Sequence, residues 1–208
     1  MSAPHNIPPA RRAVFLDRDG TLNVEVNYLH RVADFHLIEG AAQAIRALNA
    51  ANYLVIVVTN QAGIARGYYD AAALDTLHTH LAQVLAAEGA QLDAVYFCPH
   101  HPDFTGPCAC RKPAPGMLLR AAADYRLDLT RSWLVGDTSS DIGAGCAAGC
   151  RTVLVRTGYG NQVAAQLVRD AMPRPDMIVD DIGAAVQYLL KYDSLRGTAS
   201  ETAFPDAC

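Results

Sequence analysis

The sequence predicts an α/β fold in which helices cover both faces of a parallel sheet. Short apolar runs alternate along the chain with segments of helical periodicity, and this alternation is typical of parallel sheets. Residues 54–58 read Leu-Val-Ile-Val-Val, the pattern of a strand buried on both faces. Polar and charged residues follow directly after the apolar runs, as expected where the carboxyl ends of parallel strands form a site.

The individual elements follow from periodicity and from their end signals. Strands are predicted at residues 13–16, 54–58, 94–97, 133–135 and 152–155, and helices at residues 40–51, 71–88, 117–125 and 141–148. Ala41, Ile45 and Leu48 have the spacing of one helix face. Asp70 is placed to cap the second helix, and Gly149 is placed to end the last.

The composition indicates one globular domain between two short tails. The chain has 208 residues, of which 51% are hydrophobic and 18% are charged. Single domains run to about 100–200 residues, so this length suits one core. Residues 1–12 and 194–208 are polar or proline-containing and lack periodicity. We therefore expect a single domain over residues 13–193 with a flexible tail at each end.

Charge and hydropathy argue against two classes of partner. The net charge of −4 disfavours a nucleic-acid-binding protein of the basic-face type. No segment approaches the roughly 18 consecutive apolar residues of a membrane span. The amino-terminal segment lacks the apolar region of a secretory signal. We expect a cytoplasmic monomer that binds neither nucleic acid nor membrane.

Acidic and hydroxyl side chains follow the first two apolar runs. Asp17 and Asp19 come after the first run, and two carboxylates at this spacing can share a divalent cation. Asp19 can contribute either its side chain or its backbone carbonyl. Thr59 follows the second run, where its hydroxyl and the next backbone N–H groups could hold phosphate oxygens. Each motif alone is also common in ordinary turns.

Two further motifs supply cations and a third carboxylate. Arg111 and Lys112 are adjacent, so one cation can neutralise a phosphoryl group while the other contacts another part of a substrate. Asp137 follows the apolar residues 133–135, where it could complete a metal site, and Asp141 lies four residues further on. An Arg-Lys pair by itself is most often a solvated surface feature.

The order of these motifs over residues 13 to 160 resembles the haloacid dehalogenase superfamily. The resemblance implies a Rossmann-like, three-layer parallel sheet and a nucleophile, Asp17, that becomes an aspartyl-phosphate. It implies that Asp19 protonates the leaving oxygen and then activates water, and that Thr59 and Lys112 hold the phosphoryl group. The implied Mg²⁺ ligands are Asp17, Asp19 and Asp137. Because an aspartate stands at the second acidic position, a phosphatase is favoured over a dehalogenase.

The chain leaves no room for the cap domain that many members carry. The interval from Asp17 to Thr59 is filled by a loop and one helix, and the interval from Thr59 to Lys112 by one helix, one strand and a cysteine-bearing loop. We therefore expect an uncapped, open site.

A cysteine-bearing loop precedes the cation pair. Its candidate ligands are Cys98, Cys108, Cys110 and either His100 or His101. Four such ligands suit a closed tetrahedral Zn²⁺ site, which is structural. Zinc would rigidify the loop and present Arg111 and Lys112 to the phosphate. A reduced, metal-free loop is the alternative.

Within the superfamily, five segments resemble the D-glycero-D-manno-heptose 1,7-bisphosphate phosphatases. They are residues 15–21, 58–67, 98–102, 110–118 and 155–158. The resemblance implies removal of the 7-phosphate in ADP- or GDP-heptose synthesis for lipopolysaccharide, and selects His100 as the fourth zinc ligand. Arg111 and Lys112 would contact the substrate. The other implied contacts are Glu25, Val26, Asn27, Tyr28, Asn60, Gln61, Ala62 and Thr138. Thr138 replaces a residue that is often lysine, and the anomer preference stays open.

Two other functions remain as alternatives. Uncapped histidinol-phosphate phosphatases share the zinc loop and most of the motifs, and differ around residues 25–28 and at Arg111-Lys112. A phospho-accepting receiver module also uses Asp, Thr and Lys at strand ends. Receivers, however, place the aspartate at the middle strand and carry no zinc loop.

Overall fold

Six parallel strands form one sheet in the computed structural model, which describes residues 10–169 and 172–198. The strands are β1 (Ala13–Leu16), β2 (Leu54–Asn60), β3 (Ala94–Cys98), β4 (Trp133–Gly136), β5 (Arg151–Val155) and β6 (Met177–Val179). Their order across the sheet is β3-β2-β1-β4-β5-β6, so the chain builds first toward one edge and then toward the other. This reversal makes the carboxyl ends of β1, β2 and β4 neighbours, the usual place for a ligand in such sheets.

Helices cover both faces of the sheet. They are α1 (Ala41–Ala50), α2 (Ala71–Ala87), α3 (Pro102–Thr105), α4 (Gly116–Tyr125), α5 (Ser139–Ala148), α6 (Gly160–Gln166) and α7 (Ile182–Thr198). Side chains of α1, α2 and α7 share one apolar core with Val14 and Leu16 of β1. Side chains of α4 and α5 share a second core with Ala13 and Phe15, because successive strand residues point to opposite faces. The predicted three-layer α/β fold is confirmed.

The connections from β1 to β2 and from β2 to β3 each contain one α-helix. A 3-10 turn (Val32–Asp34) and α1 lie between β1 and β2, and α2 lies between β2 and β3. No separate cap domain is inserted within these described intervals. Among residues 10–169 and 172–198, no helix is long and apolar enough to cross a membrane.

The ends of the folded part differ from the sequence-based boundaries. Helix α7 continues to Thr198, so residues 194–198 are helical and the predicted start of the tail at Ser194 was wrong. At the other end, the backbone N–H of Arg11 donates to the carbonyl of Arg126, and Arg12 forms an ion pair of 3.0 Å with Asp193. The long-range ion pair joins the two ends, which local periodicity does not reveal. Residues 1–9 and 199–208 of the predicted tails lie outside the described residues.

Helix α5 begins two residues earlier than predicted. A capping box explains the difference, since the backbone N–H of Thr138 donates to Asp141 Oδ2 at 2.9 Å. Asp141 is therefore the third residue of the helix. Four more elements, α3, α6, β6 and α7, were not predicted. Strand β6 has three residues, all only partly buried, so its pattern is weak.

Candidate active site

The predicted nucleophile and the predicted phosphate and substrate contacts meet at one pocket at the carboxyl ends of the strands. Its volume is about 340 Å³. Sequence-predicted residues that line it are Asp17, Asp19, Glu25, Val26, Asn27, Tyr28, Thr59, Asn60, Gln61, Ala62, Arg111, Lys112 and Thr138. Asp17 follows β1, while Thr59 and Asn60 end β2. The sheet order therefore brings together residues that are distant in the sequence.

Lys112 is a buried cation held between two carboxylates. Its Nζ lies 2.8 Å from Asp17 Oδ1 and 2.5 Å from Asp141 Oδ1, and donates to the carbonyl of Val58 at 2.8 Å. Burial opposes its charge, but the carboxylates of Asp141 and Asp17 outweigh burial and raise the pKa of Lys112. The amide of Asn60 fixes the lysine backbone, with hydrogen bonds of 3.1 Å to both its N–H and its carbonyl. Lys112 is thus a permanent positive charge beside Asp17.

Three buried carboxylates, of which Asp17 lines the pocket, lie close to one another. Asp17, Asp137 and Asp141 each offer an oxygen within 4.8 Å of the others. Burial, followed by the charge of Asp141, raises the pKa of Asp17 and raises the pKa of Asp137 to about 7, although Lys112 opposes both shifts. Asp137 Oδ2 accepts the N–H of Tyr159 at 2.8 Å, but its buried Oδ1 has no partner among the described residues. A divalent cation would satisfy this oxygen and relieve the repulsion, so the residues fit Mg²⁺.

The carboxylate of Asp19 is directed away from this cluster. It accepts hydrogen bonds from Arg18, from Asn23 Nδ2 at 3.0 Å and from Gln61 Nε2 at 3.0 Å. Arg18 is fully buried and makes an ion pair of 2.8 Å with it. Of the two metal contacts that the sequence left open for Asp19, this arrangement favours the backbone carbonyl. Asp141, to which sequence analysis assigned no role, occupies the cluster instead.

Two glycines allow Asp137 to sit against the backbone. Gly20 and Gly158 both have positive φ, +79° and +54°. A Cβ on either would fall within 2.3 Å of Asp137 Oδ2. Glycine is required at both positions for conformation and for space. Gly20 and Gly158 therefore leave the space beside the backbone that the Asp137 carboxylate occupies.

Sequence analysis did not place several other residues in the pocket, although it named His101 as a possible zinc ligand. Arg66, Tyr69, His101, Ser140 and Tyr159 also line it. The guanidinium of Arg66 lies 4.9 Å from the centre of the Phe104 ring and 3.2 Å from His101 Nε2. Arg66 belongs to the segment 58–67 that carries the family resemblance, and this was the available signal.

The outer part of the pocket contains two guanidinium groups close to the cysteine loop. Arg111 donates to the carbonyl of His100 at 3.2 Å, while Arg66 contacts the adjacent His101. Glu25 also lines the pocket, and burial, with smaller contributions from Asp19 and Asp17, raises its pKa to about 7. Thr138, the position often occupied by lysine, directs its hydroxyl to Asp141 and Ser140. Positive charge beyond Lys112 therefore comes from Arg66 and Arg111.

The cysteine loop gathers three thiols and one imidazole. The Sγ atoms of Cys98, Cys108 and Cys110 lie 3.1 to 3.6 Å apart. His100 Nδ1 lies 3.4 Å from Cys110 Sγ and 3.8 Å from Cys98 Sγ. Ligands of tetrahedral zinc are separated by about 3.5–3.8 Å, given bonds of about 2.1–2.3 Å, so the cluster fits a closed zinc site. His101 is not in this cluster, because its two ring nitrogens contact Arg66 and the Asp103 N–H.

The parallel sheet, the aspartate after its first strand in chain order, the buried lysine and the carboxylate cluster together define a hydrolase of the haloacid dehalogenase class. A family model described as HAD-hydrolase-like matches residues 109–185. D-glycero-D-manno-heptose-1,7-bisphosphate 7-phosphatase of Thermosynechococcus vestitus is 47% identical over 188 residues, which is 86% of this chain and 95% of that protein. The D-glycero-beta-D-manno-heptose-1,7-bisphosphate 7-phosphatase of Pseudomonas aeruginosa is 38% identical and spans 88% and 99% of the two chains.

A solved structure leads to the same family. D,D-heptose 1,7-bisphosphate phosphatase from B. bronchiseptica, complexed with magnesium and phosphate, matches with a TM-score of 0.80 and 37% identity. The match covers 87% of this chain and 99% of that one. The chain belongs to the D-glycero-D-manno-heptose-1,7-bisphosphate 7-phosphatase family of HAD-like hydrolases, and so to the phosphoric monoester hydrolases. Membership of this family excludes the receiver alternative.

Proposed function

We propose that this chain removes the 7-phosphate of D-glycero-D-manno-heptose 1,7-bisphosphate, in the cytoplasm, on the route to ADP- or GDP-heptose for lipopolysaccharide. The observation that carries the proposal is the 47% identity to a 7-phosphatase over 95% of its length. The pocket supports it chemically, since one buried cation adjoins Asp17 and two more guanidinium groups lie further out. A bisphosphate needs positive charge at both of its ends.

In this proposal, Asp17 attacks phosphorus and forms an aspartyl-phosphate. The sugar alkoxide leaves with a proton from Asp19, and Asp19 then takes a proton from the water that hydrolyses the intermediate. Lys112 neutralises charge on the phosphoryl group, and Thr59 binds one of its oxygens. Arg111 contacts the substrate beyond the phosphoryl group. Splitting the reaction into two displacements lowers each barrier.

The magnesium ligands in this proposal are Asp17, Asp137 and the backbone carbonyl of Asp19. Asp141 lies in the same cluster and also neutralises Lys112. Bound Mg²⁺ would screen the repulsion between the anionic nucleophile and the anionic substrate. The unpartnered Oδ1 of Asp137 supports this assignment.

The proposed substrate is tested by magnesium-dependent phosphate release from two compounds. We expect kcat/KM for heptose 1,7-bisphosphate to exceed that for histidinol phosphate by about a hundredfold, because two additional charged hydrogen bonds are worth about 3 kcal/mol. Comparison of the two heptose anomers then assigns the preferred one. Equal or greater efficiency with histidinol phosphate would contradict the proposed substrate and leave the site chemistry intact.

We further propose that Cys98, His100, Cys108 and Cys110 bind a structural zinc ion. Their four donor atoms lie close together, and the loop they hold carries Arg111 and Lys112. A closed four-ligand site has no open position for catalysis, so its effect would be on loop geometry.

Removal of zinc is expected to lower the melting temperature by several degrees and to raise KM before it lowers kcat. The reason is that the loop presents Arg111 to the substrate through the His100 carbonyl. Metal content, thermal unfolding and steady-state kinetics would be measured before and after chelation and after zinc is restored. An unchanged melting temperature in fully zinc-free protein would contradict a structural role.

A further inference from the structure

The side-chain amide of Gln61 connects three polar groups in the pocket. Gln61 is 3% exposed. Its Nε2 lies 3.0 Å from Asp19 Oδ2 and 2.8 Å from Thr59 Oγ1, while its Oε1 lies 2.6 Å from the hydroxyl of Tyr69. Family resemblance marked Gln61 as a substrate contact, but all of these hydrogen bonds are internal to the protein. Gln61 is therefore placed to orient Asp19 and Thr59.

Chemistry decides which end of the amide faces which partner. Asp19 Oδ2 also accepts from the guanidinium of Arg18, so the NH₂ group of Gln61 must face it and the amide oxygen must face Tyr69. The phenol of Tyr69 donates to that oxygen. Burial raises the pKa of Tyr69 to about 12, so the hydroxyl keeps its proton at the pH at which enzymes work. The NH₂ group then donates one hydrogen to Asp19 and the other to Thr59.

The ring of Tyr69 is held in place from two directions. It is stacked on His30, with ring centres 5.1 Å apart and planes 10° apart. It also lies against Gly63, where an added Cβ would come within 2.1 Å of the ring. These contacts determine where the hydroxyl is, and hence which way the Gln61 amide points.

We propose that Tyr69 is a positioning residue that acts through Gln61 on Asp19 and Thr59. Because Thr59 Oγ1 accepts from Gln61, its own hydrogen remains free to donate to a phosphoryl oxygen. Because Asp19 Oδ2 accepts from Gln61, its carboxylate keeps one orientation for proton transfer. Without the Tyr69 hydroxyl, Oε1 of Gln61 loses its donor, and the amide is held only through its NH₂ group, so it orients Asp19 and Thr59 less firmly. The roles of Asp19 and Thr59 in this inference rest on the proposed function.

The test is a double-mutant cycle of Tyr69→Phe and Gln61→Leu. We expect Tyr69→Phe to lower kcat about tenfold with KM changed less than about twofold, the usual effect of one lost hydrogen bond. In Gln61→Leu, the further change Tyr69→Phe should have almost no effect, because the two residues act as one unit. Gly63→Ala should reproduce the Tyr69→Phe loss by displacing the ring.

Each other outcome overturns the inference. If the losses in kcat from Tyr69→Phe and Gln61→Leu multiplied in the double variant and KM rose, Tyr69 would contact the substrate directly, since it lines the pocket. Tyr68 is an exposed neighbour whose ring contacts Tyr28, and Tyr68→Phe keeps that ring. If Tyr68→Phe lowered kcat as much as Tyr69→Phe does, the loss would not be specific to the Tyr69 hydroxyl.

Two readouts separate this inference from the proposed substrate. The cycle is run with 4-nitrophenyl phosphate as well as heptose 1,7-bisphosphate, so it does not depend on the sugar. The side-chain amide signals of Gln61 in ¹⁵N spectra report its orientation without turnover. We expect slowly exchanging amide hydrogens in the wild type and faster exchange in Tyr69→Phe. Unchanged exchange in Tyr69→Phe would contradict the inference even if heptose bisphosphate proved not to be the substrate.

Discussion

Replacement of Asp17 by Asn is expected to lower kcat by at least about a thousandfold without loss of the fold, because an amide does not attack phosphorus as a carboxylate does. Asp17 lies 2.8 Å from Lys112 and in the pocket, at the carboxyl end of a central strand. Phosphate release at saturating substrate measures the loss. Mass spectrometry of the wild type during turnover would show a phosphorylated protein that the variant lacks.

The fold should tolerate this substitution. Asn has the size of Asp, and its introduction removes one of three mutually repelling carboxylates, while Lys112 keeps Asp141 as a partner. The melting temperature should therefore stay within a few degrees of the wild type. Asp75→Asn, on the exposed face of α2, is the matched control and should turn over normally. Turnover by Asp17→Asn near the wild-type rate would assign the nucleophile to another group.

Replacement of Lys112 by Met is expected to lower kcat/KM by at least about a hundredfold and to destabilise the protein by about 3–5 kcal/mol. The side chain is 2% exposed, and its removal leaves Asp17 and Asp141 buried without their cation. The phosphoryl group also loses its neighbouring positive charge. Steady-state kinetics and chemical unfolding of both proteins measure the two losses.

The stability loss in Lys112→Met should depend on pH in a definite direction. The pKa of Asp17 is raised and that of Asp137 is about 7, so between about pH 4 and 7 the folded state binds more protons than the unfolded state. As the pH rises and these carboxylates lose their protons, their contribution to the stability of the folded state falls. Lys112 offsets the repulsion between them. The wild type keeps its lysine charged throughout this range. The loss should be larger at about pH 8 than at about pH 5.

The chain offers a matched control for this second substitution. Lys191 is exposed on α7 and does not line the pocket, and Lys191→Met should change neither kinetics nor unfolding. A Lys112→Met protein as stable as the wild type at both pH values would contradict the view that Lys112 offsets buried negative charge.

Much of the architecture was determined by local sequence. The apolar, mostly β-branched run from Leu54 to Val58 is typical of a strand buried on both faces, so a parallel sheet covered by helices followed from the pattern. Asp17, Thr59 and Asp137 stand directly after such runs, and parallel strands end at one edge. The cysteines at positions 98, 108 and 110 predicted the cluster in the same way, because their short spacing confines them to one loop.

Only the tertiary structure decided where the polar side chains point. It turned Asp19 toward Arg18 and Gln61, placed Asp141 beside Lys112, and separated His101 from the thiols. It also carried α7 past residue 194 and paired Asp193 of this helix with Arg12. Spacing along a chain determines which edge of the sheet a residue reaches. The direction of a buried polar side chain depends instead on partners from distant segments, because each buried donor, acceptor and charge must find one there.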